Sequence, residues 1–350
     1  MKILQLIDTL NPGGAERMAL NYFYALRKAG IHSYLVVTRG LGVLGEEIQD
    51  DPDFCFVRKM HTFDLMSLWR FKSFLKKNQI EVVQAHGSSW FFAYLAKISG
   101  SRFKLVWHDH YGNSDFLEKR KIQPLKILSC YFDAVISVNQ NLINWVKIKL
   151  EFKKNTICLP NFVVKISERD ISLKGSKEIK IISTANLRAQ KDYDNLFSAF
   201  RRVQQSYSVS LHLFGKNFHD PYSKKILNEI SLMDDVYYYG EVPDIFPYLA
   251  SANLGVLSSR SEGLPLALLE YGLSELPVVC TDVGDCREVT AQFAKLVPAQ
   301  KPEMLAKAII AYIQDEKNRI LDASNLKKRV EELYSEKVVI SQYLKFIEEI

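Results

Sequence analysis

The sequence predicts an α/β protein of two Rossmann-like, doubly wound domains facing a central cleft. Three observations predict it. Apolar runs alternate with helical-period segments along the chain, the pattern of parallel α/β sheets. The 350 residues are too many for one core when a domain takes roughly 100–200. A polar, aperiodic stretch at 163–178, VVKISERDISLKGSKE, interrupts the alternation near its middle and reads as a linker. The domains are therefore expected at 1–165 and 166–335.

The elements follow in order. KILQLID (2–8) is a buried strand, followed by a Gly-containing turn and a helix from about Ala15 to Ala29. SYLVVTR (33–39), EVVQAH (81–86), KLVWHD (104–109) and DAVISV (133–138) are further strands, and TICLPN (156–161) closes the half. After the linker come IKIISTA (179–185), SVSLHLFG (208–215), DVYYYG (235–240), ANLGVLSS (252–259), LPVVCTD (276–282) and AKLVPA (294–299). From Pro302 onward the chain reads as helical. In open sheets of this kind ligands bind outside the carboxyl ends of the strands.

Composition narrows the class. With 47% hydrophobic and 25% charged residues the chain is an ordinary globular one, without repeats or low-complexity tracts. The apolar start is too short for a signal peptide, and no run approaches the ~18 apolar residues of a membrane span. Five scattered cysteines with no Cys-x-x-Cys point to reduced thiols and a cytoplasmic protein. Charge is uneven: residues 1–170 hold 24 Lys/Arg against 16 Asp/Glu, and residues 171–350 hold 22 against 24. A basic first half suggests an anionic partner.

The stretch SEGLPLALLEYGLSELPVV (261–279) carries two carboxylates. Pro265 suits a first helical turn, so a helix is expected from Pro265 to Gly272, with Glu262 before it and Glu270 inside it. Eight helical residues span roughly 12 Å. Glycosidase acid/base pairs stand about 5–9.5 Å apart, so separate tasks are expected. The N–H groups at the helix start favour an anion.

This stretch resembles the signature of retaining GT-B glycosyltransferases of family 4. The matching residues are Ser259, Glu262, Gly263, Pro265, Leu269, Glu270, Gly272, Pro277, Val278, Val279 and Asp282. NPGGAER (11–17), NLRAQKDYDNLFSAF (186–200) and LHLFGKN (211–217) resemble other family segments, so the likeness spans nearly the whole chain. The resemblance implies that Glu270 binds the ribose hydroxyls of a sugar nucleotide and that Glu262 lies near the donor sugar. Gly263, Leu264 and Leu266 would offer backbone N–H groups, and Gly215 would flank the nucleotide. Arg188 and Lys191 would grip the diphosphate, and Gly14 would shape the acceptor and phosphate side. His108, with His110 as second choice, would face the sugar from the first domain. Helix 336–350 would cross back to that domain. One departure stands out: VGDCREV places Asp285 and Cys286 where relatives have a second Gly and its neighbour.

Other motifs were weighed against simpler readings. His108-x-His110 beside Asp109 offers metal ligands, but no further Cys/His cluster lies nearby in sequence, so no metal site is expected. Asp192-x-Asp194 falls at a helix start and Asp51-x-Asp53 in a turn, where acids serve local structure. Gly13-Gly14 is not a Gly-x-Gly-x-x-Gly fingerprint, so NAD is not expected. Three basic stretches, 65–78, 117–128 and 145–155, could meet an anionic membrane on the inner face of the cell membrane. No nucleic-acid module is visible.

The expected activity is transfer of a sugar from a nucleotide-diphosphate sugar to an acceptor hydroxyl with retention, for a bacterial surface polysaccharide or lipid-linked glycan. A UDP-sugar is the first choice, with GDP- and ADP-sugars as alternatives, and no cofactor is expected. A sugar-nucleotide epimerase or hydrolase and a non-catalytic binding protein are the rival readings.

Overall fold

A computed structural model describes residues 1–46, 48–112, 114–164 and 171–350. The chain divides into two compact units, one formed by Met1–Phe162 with Glu336–Ile350 and the other by Val163–Ser335. Residues 165–170 of the expected linker lie outside the described residues.

The first unit is a seven-stranded parallel sheet. Its strands are β1 (Lys2–Thr9), β2 (His32–Gly40), β3 (Phe54–Phe56), β4 (Val82–His86), β5 (Lys104–Asp109), β6 (Ala134–Ser137) and β7 (Asn155–Cys158). They lie in the order β3-β2-β1-β4-β5-β6-β7. Burial on both faces explains why the inner strands read as unbroken apolar runs. Sequence reading missed β3, which has three half-buried residues at the sheet edge and no period to detect.

The second unit has six parallel strands: β8 (Ile179–Thr184), β9 (Val209–Phe214), β10 (Val236–Gly240), β11 (Leu254–Leu257), β12 (Val278–Thr281) and β13 (Lys295–Val297). Their order is β10-β9-β8-β11-β12-β13. Strand order therefore reverses between β1 and β4 in one sheet and between β8 and β11 in the other. These are the switch points at which such sheets leave a crevice at the carboxyl ends.

The helix Glu336–Glu348 belongs to the first unit although it follows the second in sequence. Tyr343 is fully buried and its ring meets that of Tyr22, on the helix Gly14–Lys28, at 4.9 Å between centroids. Lys28 pairs with Glu336 at 3.2 Å, and Asn155 donates to the Glu349 carbonyl.

The basic stretch 117–128 exposes Lys119 and Lys121 but not all of its charge. Arg120 turns inward and forms a bidentate pair with the buried Asp109 at 2.6 and 2.8 Å. Its guanidinium lies 4.1 Å from the Trp145 ring centroid and 4.3 Å from that of Tyr111. Trp145 is thus buried beneath Arg120 rather than extending a membrane surface. Lys126 pairs with Glu151, and Lys154 donates to the carbonyls of Cys130 and Phe132. The two short acidic motifs are also structural. Asp51 and Asp53 share Arg27, while Asp192 pairs with Arg260 and Asp194 with Lys225.

Replacing Arg120 by Ala leaves the Asp109 carboxylate buried without its cation, and should lower the first unit's stability by about 3–5 kcal/mol. Trp69, Trp90, Trp107 and Trp145, all four tryptophans, lie in this unit, so tryptophan fluorescence in a urea titration follows it alone. An unchanged midpoint would refute the assignment.

Candidate functional site

In the second unit four loops meet at the carboxyl edge of the sheet. The loop after β8 carries Arg188 and a short 3-10 turn, Ala189–Lys191, then Asp192 with a left-handed φ of 54° before the helix Tyr193–Gln204. The loop after β9 begins at Gly215, whose φ is +145°. A Cβ there would fall 2.2 Å from the Ala185 carbonyl oxygen, so only glycine fits. Lys216 N donates to Asn186 Oδ1 and Leu187 N to the Lys216 carbonyl, joining these two loops.

The loop after β11 carries the signature. Ser258 Oγ donates to the Lys191 carbonyl at 2.9 Å, and Arg260 N donates to the Gln190 carbonyl at 2.7 Å. Arg260 also holds the buried Asp192 at 2.7 Å. Glu262 is 5% exposed. Its Oε1 accepts from Lys191 Nζ and from Ser259 Oγ, each at 2.5 Å. Pro265 is extended, and the helix runs Leu266–Leu273 with Glu270 buried one turn inside it. Glu262 in the loop and Glu270 in the helix are placed as the punctuation of the sequence required.

The loop after β12 supports this signature from below. Gly284 has φ +49°, and a Cβ on it would fall 2.1 Å from the Glu262 carbonyl oxygen. Asp285 N donates to the Gly263 carbonyl at 3.0 Å. Cys286 is fully buried. Its thiol pKa is pushed up by a hydrogen bond with Cys280 and by burial, which keeps it neutral. The two unexpected residues thus brace the signature loop: Asp285 through its backbone, Cys286 from the core. Arg188, by contrast, is exposed, with its guanidinium 4.4 Å from the Phe218 ring centroid.

In the first unit the edge residues are Gly14 and three histidines. Gly14 opens its helix, and the Glu16 carboxylate folds back over Gly13, where a Cβ would lie 2.4 Å from Glu16 Oε2 and turn that side chain away. His86 on β4 and His108 on β5 are register partners, and His110 follows two residues later. Sequence reading missed His86. A histidine at or next to the end of each of two successive strands was the available signal.

These side chains continue a polar layer across the sheet. His110 Nε2 meets His86 Nδ1 at 2.9 Å, His86 Nε2 meets Gln5 Oε1 at 2.7 Å, and Gln84 Nε2 meets His108 Nδ1 at 2.8 Å. His86 and His108 are each 1% exposed, and the Tyr22 ring packs edge-on against His108 at 5.6 Å between centroids. Burial holds both histidines well below the usual imidazole range and takes His110 down to about 3. All three are neutral near pH 7. His110 is the member that keeps a partly exposed face, whereas His108, the first choice for contact with sugar, is enclosed. Among the described residues no helix is long and apolar enough to cross a membrane.

Known proteins match both units. A family model described as Glycosyltransferase Family 4 matches residues 12–164, and one described as Glycosyl transferases group 1 matches residues 178–315. The chain is 22% identical to the capsular polysaccharide biosynthesis glycosyltransferase CapH of Staphylococcus aureus, over 97% of this chain and all of that one. It is 25% identical to the O-antigen biosynthesis glycosyltransferase WbnH of Escherichia coli, over 65% of this chain and 66% of that one. In fold it is similar to Anabaena HepE, solved with UDP and glucose, with a TM-score of 0.81 at 18% identity and full coverage of both chains. It is similar also to a sucrose-phosphate synthase of Thermosynechococcus elongatus, with a TM-score of 0.78 at 16% identity, covering 100% of this chain and 99% of that one. With two parallel α/β units, the signature loop at a switch point and matching family models on both, the chain belongs to the GT-B glycosyltransferases, family 4 in its first unit and group 1 in its second.

Proposed function

We propose that this glycosyltransferase moves a sugar from a UDP-sugar to an acceptor hydroxyl with retention, in assembly of a bacterial surface polysaccharide or lipid-linked glycan. The observation that carries the reading is the Lys191–Glu262 pair, fixed within three loops at the switch point of the second sheet. The names of the capsular and O-antigen relatives support the polysaccharide setting, and the UDP and glucose bound to HepE support the donor.

Glu270 takes the ribose hydroxyls, since a carboxylate is an acceptor with several lone-pair sites. Glu262 positions Lys191, and together with backbone N–H groups of Gly263, Leu264 and Leu266 it receives the sugar and diphosphate. Gly215 lets the nucleotide approach its backbone. In the reaction the bond from the anomeric carbon to the leaving phosphate oxygen breaks. The acceptor oxygen bonds to that carbon on the same face, and its proton passes to the departing phosphate. Arg188 and Lys191 stabilise the charge that grows there, so this reading needs no bound metal for departure. In the first unit Gly14 serves the acceptor side. His110, the partly exposed histidine, takes the sugar contact, with His108 enclosed behind it as a positioning residue.

The reading extends to a membrane surface. Met60, Phe63, Leu65, Met66 and Trp69 are 60–84% exposed, on and just before the helix Leu65–Asn78, which also carries Arg70, Lys76 and Lys77. Soluble surfaces rarely leave such apolar groups together. An apolar edge beside cations fits an anionic bilayer at the cytoplasmic face.

Four outcomes are expected. Glu270→Ala should abolish measurable UDP-sugar binding in calorimetry with the fold intact, and Arg188→Ala should cut kcat about 10²–10³-fold at saturating donor. Wild-type values would remove those roles, and donor turnover without any acceptor would favour an epimerase or hydrolase. Gly284→Ala, which forces the Glu262 carbonyl aside, should raise the donor Kd while leaving the first unit's tryptophan emission unchanged; an unaltered Kd would separate that loop from donor binding. Anionic vesicles should sediment the protein at low salt, and Trp69→Ser should release it. Equal sedimentation of the variant would discard this surface.

A further inference from the structure

We propose that His86, His108 and His110 form a binding site for a zinc-class divalent ion in the first unit. The inference goes beyond the glycosyl-transfer reading and does not rest on it. One ring nitrogen from each of the three lies within 4.8 Å of the others. The His108 and His110 ring centroids are 3.9 Å apart, and each is 5.1 Å from that of His86. A tetrahedral ion with Zn–N of about 2.0–2.1 Å needs nitrogens roughly 3.3 Å apart. The 2.9 Å His86–His110 pair is already near that spacing.

The free ring nitrogens fit. An ion would sit where His86 Nδ1 and His110 Nε2 share a proton, and that proton would move to His110 Nδ1 so that the ring stays neutral. His108 Nε2 is buried with no hydrogen-bond partner among the described residues, so a donor atom stands ready.

The surroundings fit as well. Metal-bound histidine ordinarily gives its other N–H to a fixed acceptor. His86 Nε2–H already has Gln5 Oε1. Gln84 Oε1 is buried without a partner, and a half-turn of that amide brings it onto His108 Nδ1–H while freeing Nε2 for the ion. The partly exposed side of His110 provides the way in. Three imidazoles leave a fourth position for water or a ligand oxygen. Nitrogen ligands without thiolate or carboxylate suit zinc, copper or nickel rather than magnesium or calcium.

The test uses the full chain with zinc alone, followed by calorimetry, and with cobalt(II), followed by visible absorption. One ion per chain should bind, with an intense tetrahedral cobalt band and no thiolate charge-transfer band. His110→Ala sits at the rim, and its fold can be checked by tryptophan emission. It should weaken binding by about tenfold or more. Gln84→Leu should weaken it by a similar factor without touching a ligand. No binding, binding unchanged in His110→Ala, or a cobalt spectrum showing thiolate ligation would each overturn the site.

Discussion

The carboxylate of Glu262 fixes the carboxyl edge of the second sheet. It is buried, so it must keep a cation and a hydroxyl, and it takes Lys191 and Ser259. That requirement ties the β11 loop to the β8 loop, and the Asp192–Arg260 pair ties them a second time. Gly215 lets the β9 loop join them, and Gly284 lets the β12 loop lie against the Glu262 backbone. The result is a preorganised set of charges and N–H groups on rigid supports, which is what the proposed departure of a phosphate would call for. Arg188, outside this lattice, is exposed with its guanidinium against the Phe218 ring.

The first unit uses a different device at the equivalent edge. A row of neutral polar side chains, Gln5, Gln84, His86 and His108, runs through the middle of the sheet under Tyr22. Buried polar groups are costly unless satisfied. Here several are satisfied by one another, while Gln5 Nε2, Gln84 Oε1 and His108 Nε2 have no partner among the described residues. At this edge the second sheet sets the Lys191–Glu262 ion pair, and the first sets uncharged imidazoles beside the buried Arg120–Asp109 pair.

Much of this was legible in the sequence. Apolar runs gave twelve of the thirteen strands among the described residues, most clearly the inner ones, because parallel strands buried on both faces carry an unbroken signal. Glu262 and Glu270 could be separated into loop and helix because Pro265 and Gly263 punctuate them. What stayed hidden was pairing across distance. Lys191 reads as a surface cation until β11 brings Glu262 to it. Arg120 reads as part of a basic face until Asp109 and Trp145 enclose it. His86 lies 22 residues before His108 in sequence, and only the register of β4 on β5 makes them neighbours. In 117–128 and 145–155 the same pairing takes Arg120 and Trp145 inward, while Lys119, Lys121, Lys147, Lys149, Lys153 and Lys154 stay exposed.

The interleaving of the chain has a consequence for its synthesis. The first unit lacks the helix Glu336–Glu348 until residues 163–335 have been made. Tyr22 and the polar layer beneath it therefore wait for Tyr343, more than 300 residues downstream, before the aromatic lid closes. Domains ordinarily fold in order of emergence. In this chain the second unit can finish first, and the first is sealed last.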